Sequence, residues 1–427
     1  MFVNAGSRYE SIEESGSAAL LWQTLLRSPE FQKAVNRLGA KVHLHEDREV
    51  LGVTLGVLNE DVEEAVRVLL KHVSRDVEIT EEMLNVEREV LHTRNLEVQR
   101  DQFEQTYSCL YETTFRDHQM GQPILGMRDN AKNLTAEMVN RHRDRTFLGS
   151  NVALVISGRV QNSDKVLDVA SESLSKWPSQ GSIANNDIQM KNLERPYLTS
   201  STIAVRDDEM ANLNIAASYY TPRYGSEESL AYKFFESMIG DYHANENGVA
   251  HLNNSDRQYN MAHSWLGDMP GINIFMTRYQ PYSDHGVFST FIHGNEVWGN
   301  ISLYLGQFFG AEYAKSVNQA DAFRARARLF NDLLNNSKVS VANNLSIGRD
   351  LLYLRNRVSR SELASRYSAM TDPSHLQKRA KEFFYDVDIS CAFYGPMHAI
   401  ENVAFFDRTM RKSTLWGQQV RIHYTTM

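Results

Sequence analysis

The residues from Gly16 to Gln23 read Gly-Ser-Ala-Ala-Leu-Leu-Trp-Gln, a run in which small and apolar side chains dominate. A run of this composition, continued by Thr24-Leu25-Leu26, predicts a helix that is buried in a hydrophobic core. The apolar stretch from Gly16 to Leu26 is too short to cross a bilayer, which needs about 20 residues. We therefore expect a core helix here, around which the first part of the chain folds.

The residues just before this helix recur further along the chain. Arg8-Tyr9 and Glu13-Glu14-Ser15 are echoed by Arg223-Tyr224 and Glu227-Glu228-Ser229. Each set stands ahead of a segment rich in Ala, Leu and aromatic residues. Each set therefore predicts the opening of an equivalent helix, and the pair indicates an internal repeat.

Matching helices and strands close the two halves. A predicted helix from Thr135 to Phe147 is followed by an apolar strand from Asn151 to Gly158, and the same order recurs in Asp372–Phe384 and Asp388–Gly395. Thr135 and Asp372 are typical N-cap residues, and Pro373 takes the first helical position of the later helix. The chain is therefore predicted to contain a doubled unit.

The elements between these landmarks follow the same order in both halves. Sheet segments are followed by an amphipathic helix and then by a long charged helix. The bounds are 42–58, 61–73 and about 80–115 in the first half, and 286–292, 297–309 and about 319–335 in the second. This pattern predicts an α+β fold of two homologous sandwich-like halves, each a mostly antiparallel sheet backed by helices.

The boundary between the halves is predicted from composition. The stretch from Pro178 to Asp187 is polar, small and without periodicity, as linkers are. We therefore expect an N-terminal domain at 1–177, a linker at 178–191 and a C-terminal domain at 192–427.

The overall composition is that of a globular protein, with 42% hydrophobic and 23% charged residues among 427. Its two cysteines, Cys109 and Cys391, argue against a disulfide scaffold and fit the cytosol or the mitochondrial matrix. The net charge of −8 argues against nucleic acid as a partner. No apolar stretch has the length of a membrane span, so membrane association is expected only through partners.

Several local runs carry a resemblance to a known family. In the first half, Ala5–Glu10, Gly39-Ala40 with Arg48-Glu49, and Glu87–Arg94 resemble the mitochondrial processing peptidase superfamily, which includes pitrilysin. In the second half the similar runs are Ile239-Gly240, Gly248–Leu252, Ile347–Leu352, Tyr394–Pro396 and Met410–Trp416. These resemble the branch that holds the peptidase β subunit and core protein 1 of the cytochrome bc1 complex. Since the family has further strands ahead of this point, the front of the sheet is expected to be truncated or supplied from elsewhere.

The family's metal site falls on side chains of a different chemistry. The family's helix carries His-x-x-Glu-His, whose histidines ligate zinc and whose Glu is the general base, and a later Glu completes the site. The matching positions here are Ala19, Trp22, Gln23 and Arg94. A methyl group, an indole and a guanidinium cannot ligate zinc, and a neutral amide is a poor substitute for imidazole. We therefore predict no catalytic residue, no metal ligand, no cofactor-binding residue and no cofactor.

A zinc site built elsewhere is the alternative. His43 and His45 lie two apart on a predicted strand and share a face, with Glu46 and Glu49 close in sequence. No third ligand is evident, so surface or packing roles are favoured for both histidines. No His-x-x-Glu-His motif or its inverse occurs among the 14 histidines.

The resemblance implies a non-catalytic structural core subunit of the mitochondrial cytochrome bc1 complex, respiratory complex III. It implies a peripheral location on the matrix side of the mitochondrial inner membrane, where the subunit supports assembly and stability. The implied partners are a core protein 2-like homologue, cytochrome b, cytochrome c1 and the iron-sulfur subunit.

Two other functions remain open at this point. One is a non-catalytic subunit of a processing peptidase that binds presequences. Against it stand the short segment between Gln23 and Gly39 and the single glycine in Ala244–Gly248, where the peptidase's α subunit has a glycine-rich loop. The other is an active metallopeptidase with unconventional ligands.

Arg94 and Trp22 carry one further hypothesis. In the family's geometry both would point into the former metal pocket, where Arg94 would stack on the indole or pair with a carboxylate such as Glu87. The competing interpretation is that Arg94 extends into solvent from its long helix.

Overall fold

The computed structural model describes residues 1–160, 163–178, 194–244, 262, 266, 271–297, 316–338, 340–384, 387 and 389–398. The strands are β1 (Phe2–Asn4), β2 (Lys41–Glu46), β3 (Val50–Gly56), β4 (Val152–Ala153), β5 (Thr202–Arg206), β6 (Leu213–Thr221), β7 (Tyr242–His243), β8 (Ile272–Pro281), β9 (Gly286–Gly294) and β10 (Ile389–Gly395). The α-helices are α1 (Ser17–Arg27), α2 (Pro29–Arg37), α3 (Val62–His72), α4 (Glu81–Arg100), α5 (Gln102–Thr114), α6 (Ala136–Thr146), α7 (Ser163–Leu174), α8 (Ser229–Ile239), α9 (Gln319–Lys338), α10 (Ser340–Arg349), α11 (Arg360–Ala369) and α12 (Pro373–Phe384).

These elements form two compact units that are not continuous in sequence. The first unit consists of Met1–Arg100, Asp117–Arg195 and Leu334–Val358, and the second of Asp101–Arg116, Pro196–Leu333 and Ser359–Met427. Each unit therefore includes one segment from the opposite half of the sequence. The division into 1–177 and 192–427 stays a prediction, and the predicted linker at 178–191 lies, apart from Pro178, outside the described residues.

The first unit is built on a four-stranded antiparallel sheet with the order β2-β3-β1-β4. One face of this sheet joins α1 and α3 in a buried cluster that includes Val3, Leu51 and Val53. The other face packs against α10 and the turn after it, where Phe2 is buried. A Cβ added to Gly348 would lie 2.4 Å from Phe2 Cδ2, so glycine permits this close approach.

The second unit is built on a six-stranded sheet with the order β5-β10-β6-β9-β8-β7. Only the pairing of β5 with β10 is parallel. One face carries an aromatic-rich core, and the other is covered by α5 through hydrogen bonds between hydroxyl groups. Tyr107 Oη lies 3.1 Å from Ser289 Oγ, and Thr114 Oγ1 lies 2.7 Å from Ser218 Oγ. The predicted fold of two mostly antiparallel sheets backed by helices is confirmed.

Most of the predicted elements are present. The core helix, the hairpin of β2 and β3, and the helices after Thr135 and Asp372 all form. Both predicted caps are confirmed, since Thr135 Oγ1 accepts a hydrogen bond from Met138 N and Asp372 Oδ1 accepts one from Ser374 N.

Two predicted elements are wrong in extent. The single helix expected at about 80–115 is broken at Asp101, whose carboxylate accepts hydrogen bonds from Phe103 N and Glu104 N and so caps a new helix. The strand expected from Asn151 to Gly158 has strand pairing only at Val152–Ala153. The predicted helix at 297–309, apart from Val297, and the runs 248–252 and 410–416 lie outside the described residues.

The start of α1 is fixed by a buried carboxylate and by two glycines. Glu10 accepts hydrogen bonds from Gly16 N at 2.9 Å and from Ala18 N at 2.6 Å. Burial raises the pKa of this carboxyl to about 8, and the two backbone donors act against that rise. Gly16 has φ of 101° and Gly126 has φ of 77°. A Cβ on Gly126 would lie 2.2 Å from Gly16 Cα, so no larger residue fits between these two backbone segments.

We predict that Gly126→Ala lowers the free energy of unfolding by about 2–4 kcal/mol, because backbone strain and an unavoidable overlap act together. The control is Gly39→Ala, since Gly39 has φ of 58° but an added Cβ there meets no atom within 4 Å. That control should cost only about 1 kcal/mol of strain. Denaturant unfolding of both variants measures the difference. Equal losses would mean that the contact with Gly16 does not position α1.

Candidate functional site

Helix α1 brings the three positions of the family's zinc motif into the core of the first unit. Ala19 and Trp22 are fully buried, with exposures of 1% and 0%. The Trp22 Nε1–H donates a hydrogen bond to Gly52 O at 3.2 Å, so the indole fixes α1 against strand β3. Neither side chain offers a lone pair to a metal or accepts a proton from water.

Gln23 is held at both ends of its amide. Its Nε2 donates to Glu87 Oε2 at 2.5 Å and to Glu87 O at 3.1 Å, while its Oε1 accepts a hydrogen bond from Arg94 Nη1 at 3.1 Å. The amide therefore links two residues that lie nearly two turns apart on α4. Its oxygen therefore already has a cationic partner, the Arg94 guanidinium.

The chain of contacts continues at both ends. Arg94 Nη2 donates to Glu46 Oε2 at 2.5 Å, and Arg27 Nε donates to Glu87 Oε1 at 3.1 Å. We call the five residues Arg27, Glu87, Gln23, Arg94 and Glu46 the Gln23 network. Two guanidinium groups and two carboxylates give it a formal charge of zero. It ties α1, α4 and β2 together at the position of the family's metal.

The hypothesis that Arg94 pairs with a carboxylate is confirmed, and the alternative that it stacks on the Trp22 indole is wrong. Its side chain is 34% exposed, but its head group pairs with a carboxylate and does not extend freely into solvent. That carboxylate is Glu46, whereas Glu87, the example given from the sequence, pairs with Arg27. Among the described residues, no ring contact joins Arg94 to Trp22.

The donor chemistry at this place does not fit zinc. The Arg94 guanidinium carries a permanent positive charge and has no acceptor for a metal. The two nearby carboxylates, Glu46 and Glu87, are already neutralised by arginines. In the part of the chain that the structure describes, no group of three or more His, Cys, Asp or Glu side chains is placed to hold a metal ion.

The histidines of β2 have separate surroundings. His45 Nε2–H donates to Asp47 Oδ2 at 2.9 Å, and Arg349 Nη2 donates to the same oxygen at 2.7 Å. Burial alone would raise the pKa of Asp47, but the hydrogen bond from His45 and the charge of Arg349 hold it below its ordinary value. His43 is exposed on the same face of the strand. Asp47 Oδ1 also accepts hydrogen bonds from Glu49 N at 2.8 Å and from Val50 N at 2.6 Å, and these fix the turn that follows Glu46.

Sequence reasoning missed Glu46, Arg27 and Arg349 as parts of this region. In the sequence, Glu46 stands out only as a neighbour of the two histidines, and Arg349 only as part of the Ile-Gly-Arg-Asp run. No local pattern marks these residues, because their contacts depend on how the hairpin of β2 and β3 lies beside α4 and α10.

Comparisons with protein families match two consecutive parts of the chain. Residues 1–128 match the insulinase family, peptidase family M16, and residues 133–296 match the peptidase M16 inactive domain.

No helix among the described residues is long and apolar enough to traverse a membrane.

Individual relatives come from two kinds of protein. A probable mitochondrial-processing peptidase subunit beta of Arabidopsis thaliana is 24% identical over 98% of this chain and 77% of its own length. The mitochondrial cytochrome b-c1 complex subunit 1 of Bos taurus is 21% identical over 97% of this chain and 84% of its own length.

Solved structures share the fold. A chain of complex III2 from Candida albicans has a TM-score of 0.81 at 18% identity, covering 96% of this chain and 93% of that one. A protease from Helicobacter pylori has a TM-score of 0.76 at 17% identity, covering 92% of this chain and 93% of that one.

We predict that Arg94→Ala lowers the free energy of unfolding by about 1–2 kcal/mol, because the largely buried Glu46 carboxylate and the Gln23 oxygen lose their partner. The control is Arg67→Ala, whose ion pair with Glu63 at 2.9 Å is exposed on the surface of α3. That change should cost less than about 0.5 kcal/mol.

A double-mutant cycle of Arg94→Ala with Glu46→Gln isolates the pair. A coupling free energy above about 0.5 kcal/mol is expected for residues in direct contact. Additive effects of the two substitutions would contradict the assignment of Glu46 as the partner of Arg94.

Proposed function

This chain belongs to peptidase family M16, and from that membership we propose that it is a non-catalytic structural core subunit of a mitochondrial cytochrome bc1 complex. The observation that carries the proposal is the Gln23 network. It places an arginine and a neutral amide where the family's zinc chemistry needs an acid and an imidazole.

The same residues support the absence of hydrolytic activity in this proposal. A metallopeptidase needs a cation that polarises the peptide carbonyl and lowers the pKa of a bound water, and a base that takes the water's proton. Trp22 stands at the base position and offers no acceptor. Arg94 stands at a ligand position, and its charge opposes a divalent cation. No step of the reaction can be assigned to these residues.

What remains is a scaffold that acts by burying surface. The chain of 427 residues folds as two units, and a scaffold of this kind would act through permanent interfaces. Such interfaces commonly bury more than about 2,000 Å² in obligate complexes. The proposed partners are a core protein 2-like homologue, cytochrome b, cytochrome c1 and the iron-sulfur subunit. The proposed location is the matrix side of the mitochondrial inner membrane, with the membrane reached through partners.

The comparisons support two versions of a partner-dependent role. The bovine bc1 subunit and the Candida albicans complex III chain favour the respiratory complex. The identity to the Arabidopsis thaliana processing peptidase subunit beta favours a second candidate, a non-catalytic presequence-binding subunit of a processing peptidase. The Gln23 network is compatible with both roles, so the choice depends on the partners.

Purification of the tagged chain from mitochondria under mild detergent separates these candidates. We expect a stable complex that contains a second M16 chain together with haem-bearing membrane subunits, identified by mass spectrometry and by the absorption of b- and c-type haem. Recovery with one zinc-containing peptidase subunit and no haem would replace the proposed role with the second candidate. Cleavage of presequence peptides by the isolated chain, abolished by a chelator, would contradict both.

A further inference from the structure

Helix α6 is attached to the segment that precedes α1 through buried polar groups of the first unit. His142 Nε2 lies 2.9 Å from Ala5 O, and Arg145 Nη2 lies 2.8 Å from Tyr9 O. The same Arg145 nitrogen lies 2.9 Å from Glu14 Oε2. The His142 side chain is completely buried, and Arg145 and Glu14 are 5% and 3% exposed. We call Ala5, Tyr9, Glu14, His142 and Arg145 the His142 joint.

The partners of His142 fix which of its ring nitrogens carries the proton. A carbonyl oxygen only accepts hydrogen bonds, so Nε2 must donate to Ala5 O. A guanidinium only donates, so Nδ1, which lies 3.2 Å from Arg145 Nη2, must accept. The geometry therefore requires the neutral imidazole with its proton on Nε2.

The folded chain has no place for a second proton on His142. That proton would bind at Nδ1 and would turn an acceptor into a donor that faces the Arg145 guanidinium. It would also place two like charges side by side in the protein interior. Burial first, and then the charge of Arg145, accordingly lower the pKa of His142 from 6.5 to about 3, although its hydrogen bond with Ala5 acts in the opposite direction.

The carboxylates around the joint are engaged with other groups. Glu14 pairs with Arg145 at 2.9 Å and with Arg141 at 3.2 Å, so two guanidinium groups share its charge. Glu10 accepts hydrogen bonds from two backbone amides at the start of α1. Asp144 pairs with the guanidinium of the residue before it on α6. An imidazolium at His142 would therefore have to compete with these groups for a counter-ion.

Acid favours a form of the chain in which the joint is open. In an open form His142 is exposed, and its pKa returns to the ordinary value of 6.5. Between pH 6.5 and pH 3 the open form binds a proton that the closed form does not, so the free energy of opening falls as the pH falls. Above pH 6.5 neither form binds this proton, and the contribution of His142 to stability is fully present.

Glu10 contributes to the pH dependence with the opposite sign. Burial raises the pKa of its carboxyl to about 8, so the folded chain holds a proton that an unfolded chain releases between pH 4.5 and pH 8. The contribution of His142 is therefore measured against a variant that lacks only this imidazole ring.

We propose that the His142 joint is an acid-sensitive latch, which holds helix α6 to residues 5–14 and whose opening is favoured by protonation of His142. Opening separates Tyr9 and Glu14 from Arg145, and residues 9–14 lead directly into α1. The latch thus couples the proton concentration to the attachment of the core helix. It rests on the geometry of the first unit and is independent of the proposed role in the respiratory complex.

The test compares the wild-type chain with His142→Gln, whose amide keeps a donor for Ala5 O and an acceptor for Arg145 but does not titrate. Denaturant unfolding between pH 7 and pH 4 gives the equilibrium constant of unfolding for each protein. The ratio of the wild-type constant to that of the variant should rise about tenfold for each pH unit between pH 6 and pH 4, as linkage to one proton requires. The matched control is His43→Gln, which replaces an exposed histidine and should show no such change in the ratio.

Nitrogen NMR of the wild-type chain with ¹⁵N-labelled histidine tests the latch without a variant. At pH 5 exposed histidines carry two ring protons, whereas His142 should stay neutral with its proton on Nε2. The proposal is overturned if every histidine ring is doubly protonated at pH 5, or if all the neutral rings persist in His142→Gln. It is also overturned if the ratio of unfolding constants does not change with pH, or if His43→Gln changes it equally.

Discussion

The ion pair between Arg94 and Glu46 fixes the charge at the position of the family's metal. A guanidinium stays protonated at any physiological pH, so this place always carries a positive charge. Removing two thirds of that side chain from water is unfavourable unless a carboxylate and further acceptors compensate for the lost hydration. Glu46 and the Gln23 oxygen provide this compensation. The same positive charge that stabilises the network opposes a divalent cation.

The network also joins the elements that lie around the position of the family's metal. In the family's site the zinc ligands come from two helices that correspond to α1 and α4. Here Gln23 joins these helices through hydrogen bonds to Glu87 and Arg94, and Glu46 adds strand β2. The Trp22 indole donates a hydrogen bond to Gly52 O and so fixes α1 to strand β3. A structural role needs only this rigidity, whereas hydrolysis needs acceptor groups that Ala19, Trp22 and Arg94 do not offer.

The sequence predicts the local elements better than the contacts between distant residues. The apolar run after Gly16 is sufficient to place α1, and Thr135 is sufficient to place the start of α6, because both signals act within a few residues. The break at Asp101 is missed because the helical pattern of charged residues continues across it. The break is caused by the Asp101 side chain, which accepts hydrogen bonds from Phe103 N and Glu104 N and so starts a new helix. The pairing of Arg94 with Glu46 is missed because it depends on how the hairpin lies beside α4, which no local pattern specifies.

Isothermal titration calorimetry, with Zn²⁺ added to the purified chain, tests most directly whether the Gln23 network leaves no site for zinc. We expect no saturable binding at one equivalent and the same heats for the wild-type chain and for Gln23→Ala. One tight equivalent of zinc that is lost in Gln23→Ala, accompanied by chelator-sensitive peptide cleavage, would overturn the assignment of this position to an ion-pair network.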